Sequence, residues 1–165
     1  MTSHMKMAGP GWRAKRKFLK YIRKDKNSGS FKEENISSIT KTNYNNPISP
    51  QGLVDLFHKY LDPPLIKVIG IPYALDSIWY QVYGKNTSSF HDYHQHMDCN
   101  ISGIYYLRLR DQSLRTQFLY NNQTIIPEVE EGDLVIFDSS IYHRSPPNNS
   151  NQDKIILSFN LRLIK

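Results

Sequence analysis

Between residues 65 and 164 the chain is written in short apolar runs whose side chains recur at about every second position. LIKVIGI (65–71), SIWYQVYG (77–84) and the stretches around 91–97, 102–110, 115–120, 133–138 and 154–164 all read this way. A period of two is that of an extended strand, in which successive side chains point to opposite faces. The runs are separated by GKN, DQS, NNQ, EEGD and PPNNSNQD, clusters of residues that favour turns. Many short strands with turn signals between them specify a sandwich or barrel. Eleven tyrosines in 165 residues favour strands again, and this length is enough for one domain with its own core. The expected fold class is therefore mainly β.

One helix is expected outside the sheets. Ser49-Pro50 reads as an N-cap followed by proline at the first helical position. Leu53, Leu56, Phe57 and Tyr60 then fall on one helical face, and Asp62-Pro63-Pro64 reads as the stop. His58 lies off that face and is expected to be exposed. A second, short basic helix is allowed between Trp12 and Lys24, where Trp12, Phe18, Leu19, Tyr21 and Ile22 sit among lysines and arginines; NSGS (27–30) breaks it. Residues 35–48 read as irregular.

Charge divides the chain. Residues 1–33 hold ten Lys/Arg against Asp25 and Glu33, a net +8, while residues 34–165 hold eleven Lys/Arg against thirteen acids, a net −2. The expected organisation is a basic, partly disordered N-terminal arm over 1–33, with 1–5 (and so His4) set aside as vector-like, and a β domain over 34–165. A basic arm suits an anionic partner such as nucleic acid, an acidic surface or lipid; the plainer reading is a solvated leader. No run of 18 apolar residues is present, so no membrane span is expected. The N-terminus lacks the apolar stretch of a secretory signal. Cys99 is the only cysteine, which excludes an internal disulfide and a thiolate zinc site and suits a cytoplasmic location.

The segment most suggestive of chemistry is FHDYHQHMDCNISGIYYL (90–107). If its strand continues far enough, His94, His96 and Asp98 share a face. A third group must come from elsewhere, and His143, in DLVIFDSSIYHRSPP, is the candidate, read as the end of a strand before a Pro-Pro turn. Nitrogen and oxygen ligands without thiolate suit Fe(II), Mn, Ni or Zn, and two histidines with a carboxylate suit non-haem Fe(II) oxygen chemistry. The alternative is a set of polar strand residues hydrogen-bonded at a surface.

HQHMDCNISGIYYL and PEVEEGDLVIFDSSIYHRSPPNNSNQDKIILSFNLR resemble, in order, the H-x-H…S-G-[VI]-Y-Y and E-G-D-L-V-[IL]-F…H…S-F-N motifs of a branch of the 2-oxoglutarate/Fe(II)-dependent oxygenases. The likeness covers about residues 77–165. It implies a double-stranded β-helix, or jelly-roll, with one or two flanking helices. It also implies Fe(II), 2-oxoglutarate and dioxygen as cofactor and co-substrates, and hydroxylation of a C–H bond in a substrate the sequence does not identify.

On this resemblance His143 matches the distal ligand and His96 a proximal one. The superfamily's H-x-D pattern adds Asp98, whereas the branch's H-x-H pattern adds His94. For the inner carboxylate of 2-oxoglutarate the resemblance offers Lys154, eleven residues past His143, with Arg162 as second candidate and Tyr105 or Tyr106 as hydroxyl donors. The branch has Arg where this chain has Lys154, and a point charge replaces a bidentate fork. His91 is expected at the rim and Cys99 as a space-filler. Trp79 and Tyr83 share one face of their strand, in the core or the pocket wall, and Tyr80 takes the other. Two readings compete: a cupin-like metal-binding barrel without turnover, and a nucleic-acid-binding module that uses the basic arm.

Overall fold

The structure, a computed structural model, describes residues 3–46 and 50–165. Eleven strands and three helices follow in chain order. They begin with β1 (Met5–Ala8), α1 (Trp12–Lys24), β2 (Gly29–Glu33), β3 (Ser37–Thr42), α2 (Gln51–Tyr60), α3 (Asp62–Ile69), β4 (Tyr73–Tyr83) and β5 (Ser89–His94). They continue with β6 (Ile101–Leu109), β7 (Gln117–Tyr120), β8 (Gln123–Ile125), β9 (Asp133–Asp138), β10 (Tyr142–Asn148) and β11 (Lys154–Leu163). The strands pair in the order β1-β9-β6-β11-β4-β3-β5-β10-β7-β8, with β2 on β3. This antiparallel sheet curls because β3 pairs with both β4 and β5. The expected jelly-roll class is the one observed.

Alternation along the long strands sorts side chains between two apolar clusters. Tyr80, Tyr105, Leu107, Leu157, Phe159 and Leu161 face outward, beneath the helices, with Phe18, Leu53, Phe57 and Leu65. Tyr83, Ile104, Tyr106, Phe118, Val135, Phe137 and Ile156 face inward, between the sheet halves. The inward face of β11 also carries Lys154, Ser158 and Asn160, all under 9% exposed.

Three expectations are corrected. First, LIKVIG is helical. Asp62-Pro63-Pro64 starts α3, with proline in its first turn and Gly70 in the left-handed conformation at its C-cap. Proline lacks only an N–H that the first turn leaves unpaired in any case, so the same residues that end one helix begin the next. Second, residues 29–42 form the β2–β3 hairpin, whose second strand, β3 (Ser37–Thr42), lies in the 35–48 stretch expected to be irregular. Third, the N-terminal segment belongs to the domain. β1 pairs with β9, Met5 opposite Ile136, and His4 stacks on Phe118. In α1, Ala14, Phe18 and Ile22 are buried at i, i+4 and i+8. Burying Phe18 and Ile22 contributes about 1.5–3 kcal/mol each, which holds the helix down despite its charge. Pro50 caps α2, which begins at Gln51; the expected cap, Ser49, lies outside the described residues.

Candidate metal centre

β5 and β10 lie side by side and antiparallel, and the register sets His143 opposite His94. β5 ends at His94. The chain then turns, and the His96 N–H donates to the Ser139 carbonyl at 2.8 Å while the Ser139 N–H donates to the Asn100 carbonyl at 3.1 Å. Ser139, fully buried, lies in the turn that leads into β10. The two segments that carry histidines are thus tied to each other by backbone hydrogen bonds. The outcome is that one ring nitrogen each of His94, His96 and His143 lies within 4.8 Å of the other two.

His143 is the second residue of β10 and does not end a strand. Pro146 and Pro147 lie inside β10, whose pairing with β5 is irregular between His143 and Asn148; proline has no N–H to give to a ladder.

Two of the three rings are held in one tautomer. Nδ1 of His94 lies 2.7 Å from the Asp92 carbonyl, and Nδ1 of His143 lies 3.1 Å from that of Ile141. A carbonyl only accepts, so the proton sits on Nδ1 and the Nε2 lone pair is free in both. Burial lowers the pKa of all three histidines, and that of His96 falls to about 4, helped by neighbouring His94. Neutral rings are the ligating form at neutral pH. His91 stacks on His94, centroids 3.7 Å apart, and burial with its histidine neighbours pushes its pKa down to about 3.

Asp98 stands outside this group. The strand stops four residues before it, and it is exposed in the turn, where its backbone carbonyl accepts from Arg162. Of the two candidate sets, H-x-H is the one whose side chains converge.

The crevice beside the histidines encloses about 370 Å³, counting space open to solvent, and is lined by Trp79, Gln81, Tyr83, Ser102, Thr116, Ser145, Ser158 and Asn160 among others. Lys154 lies directly behind it. Its ammonium donates to Ser145 at 2.8 Å and Thr116 at 3.3 Å and sits 5.5 Å from the centre of the Tyr83 ring. It is 1% exposed, no carboxylate among the described residues pairs with it, and burial lowers its pKa to about 7.

The other candidates separate by direction. Tyr106 faces inward with Tyr83 and Phe118, its hydroxyl buried without a partner. Tyr105 faces outward, edge-on to Phe18 at 5.7 Å, and does not reach the crevice. Arg162 is an exposed residue at the far end of β11, paired with Asp76 at 2.9 Å. The extra residue of the irregularity beside Asn160 is Asp76 of β4; β11 itself runs on regularly, so Arg162 keeps the parity of Lys154 but stands eight residues further along, exposed and away from the crevice lining. Trp79 lines the crevice, 5.6 Å from the His96 ring, and Tyr80 faces outward as expected. Cys99 does more than fill space, its thiol donating to the Ser139 hydroxyl at 3.0 Å.

Sequence reasoning missed a polar chain. The Ser158 hydroxyl donates to Gln81 Oε1 at 3.0 Å, Gln81 Nε2 lies 3.4 Å from His91 Nδ1, and the Ser102 hydroxyl donates to Asn160 Oδ1 at 2.8 Å. The available signal was the placing of Gln81, Ser102, Ser158 and Asn160 at inward positions of otherwise apolar strands.

Comparisons with known proteins bear on the fold and on one stretch of the sequence. A family model described as a putative 2OG-Fe(II) oxygenase matches residues 115–160, the stretch that contains His143 and Lys154. No curated protein sequence matches. Among solved structures, the fold is similar to that of a Pseudomonas putida prolyl-4-hydroxylase, at 14% identity and TM-score 0.68, over 99% of this chain and 94% of that one. A viral collagen prolyl hydroxylase from Paramecium bursaria Chlorella virus-1 aligns at 12% identity and TM-score 0.60, over 99% and 97%. The alpha-ketoglutarate-dependent epimerase SnoN of nogalamycin biosynthesis aligns at 8% and 0.76, over 97% and 76%. The likeness to these structures is one of fold. The family model, whose members use Fe(II), 2-oxoglutarate and dioxygen, spans under a third of the chain.

Proposed function

We propose that the chain is an Fe(II)- and 2-oxoglutarate-dependent dioxygenase that hydroxylates a C–H bond, with His94, His96 and His143 as metal ligands and Lys154 as the cation for the inner carboxylate of 2-oxoglutarate. The observation that carries this reading is Lys154 itself. A buried ammonium with no carboxylate partner is costly, and this one reaches a metal-competent histidine cluster through Ser145 and Thr116, which line the same crevice. A metal-binding barrel without a co-substrate has no use for such a charge. A dicarboxylate bound at the metal supplies the missing anion.

The donor set fits the ion. Three neutral imidazoles suit Fe(II), and the co-substrate's carboxylates would offset the metal charge that no protein carboxylate balances here. When bound, iron with 2-oxoglutarate and dioxygen supplies the oxidising chemistry of the class. The protein's part is to orient the rings through the Asp92 and Ile141 carbonyls, to anchor the co-substrate through Lys154 with Ser145, Thr116 and Tyr106, and to keep water from the crevice with Trp79, Phe137 and Ile156.

Anaerobic titration with Fe(II) and 2-oxoglutarate, followed by visible absorption, tests this. The expected result is a weak charge-transfer band that needs both additions and is lost in His143→Ala and Lys154→Ala. Metal binding without the band in the wild-type protein would move the reading to a non-catalytic metal barrel.

A further inference from the structure

The oxygenase reading leaves the basic N-terminal segment unexplained. α1 presents Ala14, Phe18 and Ile22 to the core and turns Arg13, Arg16, Lys17, Lys20, Arg23 and Lys24 to solvent. Arg13, Lys17, Lys20 and Lys24 stand at i, i+4, i+7 and i+11, one stripe along a helix of about 20 Å. Beside the stripe runs a shallow groove lined by Lys17, Lys20, Lys24 and Lys26, with Tyr21 and Leu56. Its one acid, Asp25, is engaged elsewhere, accepting from the Tyr80 hydroxyl at 2.6 Å and from the Asn27 N–H at 3.0 Å. Among the described residues, the only ion pair made by α1 is Lys15 with Glu131, and Lys15 lies off the stripe. The other cations of the helix project freely, and like charges so close together repel unless an anion covers them.

We infer that the outer face of α1 and its lysine groove form a docking surface for nucleic acid, engaged through the backbone phosphates. A linear array of anions matches a linear stripe of cations. The face carries no exposed aliphatic side chain that could enter a lipid layer. Its one exposed apolar residue, Trp12, is flanked by the guanidiniums of Arg13 and Arg16 at 5.6 and 5.5 Å from its ring centre, an arrangement suited to stacking on a base. The surface is carried on the outward side of the sheet, where Phe18 meets Tyr105, and the histidine crevice opens on the inward side. Docking therefore tethers the protein to nucleic acid and does not itself deliver a base to the metal centre.

The test is fluorescence anisotropy of labelled oligonucleotides of about 20 nucleotides, single-stranded and duplex, against the full chain, with phosphatidylserine vesicles in parallel. Four phosphate contacts predict a log–log salt slope of about −3.6 on duplex and about −2.8 on single strands, so affinity should fall about 150-fold and about 50-fold respectively between about 50 and 200 mM salt. Lys17→Glu/Lys20→Glu/Lys24→Glu should weaken binding about tenfold or more, with circular dichroism and melting unchanged, while Lys67→Glu/Lys85→Glu on other faces should have little effect. The single Lys17→Gln, Lys20→Gln and Lys24→Gln variants, which keep the helix intact, should each reduce the slope by about one. No binding at low salt, binding equally sensitive to the control charges, or binding to vesicles alone would overturn the proposal.

Discussion

Replacing Lys154 by methionine should stabilise the protein in the absence of co-substrate and abolish its response to 2-oxoglutarate. The lysine pKa falls from 10.5 in the unfolded chain to about 7 in the folded protein. At about 1.4 kcal/mol per pH unit, keeping the ammonium charged inside costs about 5 kcal/mol below pH 7. Methionine removes that cost and nearly fills the space. It also leaves the Ser145 and Thr116 hydroxyls without their donor, which returns about 1–3 kcal/mol. The net gain is about 2–4 kcal/mol near pH 6, a rise in Tm of about 4 °C or more for a chain of this size. Between about pH 7 and 10.5 the unfolded chain binds the lysine proton and the folded protein does not, so wild-type stability rises with pH and the gap closes. With a divalent metal and 2-oxoglutarate at about a thousandfold over Kd, the wild type alone gains about 4 kcal/mol and the order of the two proteins is lost or reversed. Thermal melts of both across this pH range, with and without ligands, decide the matter. A methionine variant that melts below the wild type near pH 6, or a gap that does not change with pH, refutes the reasoning about the buried charge. Equal stabilisation of both by 2-oxoglutarate refutes the role given to it.

Asp98→Ala should leave metal affinity within about twofold, whereas His94→Ala should lower it by about a hundredfold, as read by competition with a chromophoric chelator; the reverse order would restore the H-x-D set. Arg162→Ala should leave the midpoint of a urea melt essentially unchanged, as befits an exposed pair, with 2-oxoglutarate affinity unchanged. Tyr105→Phe removes a buried hydroxyl that has no partner and should be neutral or stabilising by about 1 kcal/mol, again without effect on co-substrate binding. Gly103→Ala would drive a methyl group into the Phe159 ring and should destabilise by about 1–3 kcal/mol, visible as a lower Tm.

Much of this was legible because the strands alternate. The inward and outward faces of β4 and β11, and of β6 as far as Leu107, follow from parity alone, and parity puts Lys154 with Ser158 and Asn160. It failed where the backbone leaves the pattern. The end of β5 at His94 takes Asp98 off the face of His94; Arg162 misled differently, for it keeps the parity of Lys154 but lies exposed at the far end of β11, paired with Asp76. His96 still converges, because its backbone is bound to Ser139, a contact over more than forty positions that no local pattern encodes. The Asp-Pro-Pro of α3 misled because proline marks both ends of helices. The N-terminal segment misled because its charge is visible in composition, whereas the burial of Phe18 and Ile22 depends on a sheet formed much later in the chain.

The run KIILSFN shows how tightly core and site are coupled. Ile156, Ser158 and Asn160 line the crevice and Lys154, on the same face, lies behind it, while Ile155, Leu157, Phe159 and Leu161 lie among the outward, apolar residues beneath the helices. Slipping β11 by one residue against β4 and β6 would exchange the two sets and put a lysine, a serine and an amide under the helices. Burying that lysine there without a donor-accepting partner would cost several kcal/mol more than the observed arrangement, in which Ser145 and Thr116 receive it. The polar residues of the site therefore help to specify the strand register on which the apolar core depends. Their retention need not mean that they stabilise the fold, because the Lys154 charge works against it. The proposed dicarboxylate supplies a reason for that charge to be kept, and the pH-dependent melts separate the cost of holding it from the benefit of using it.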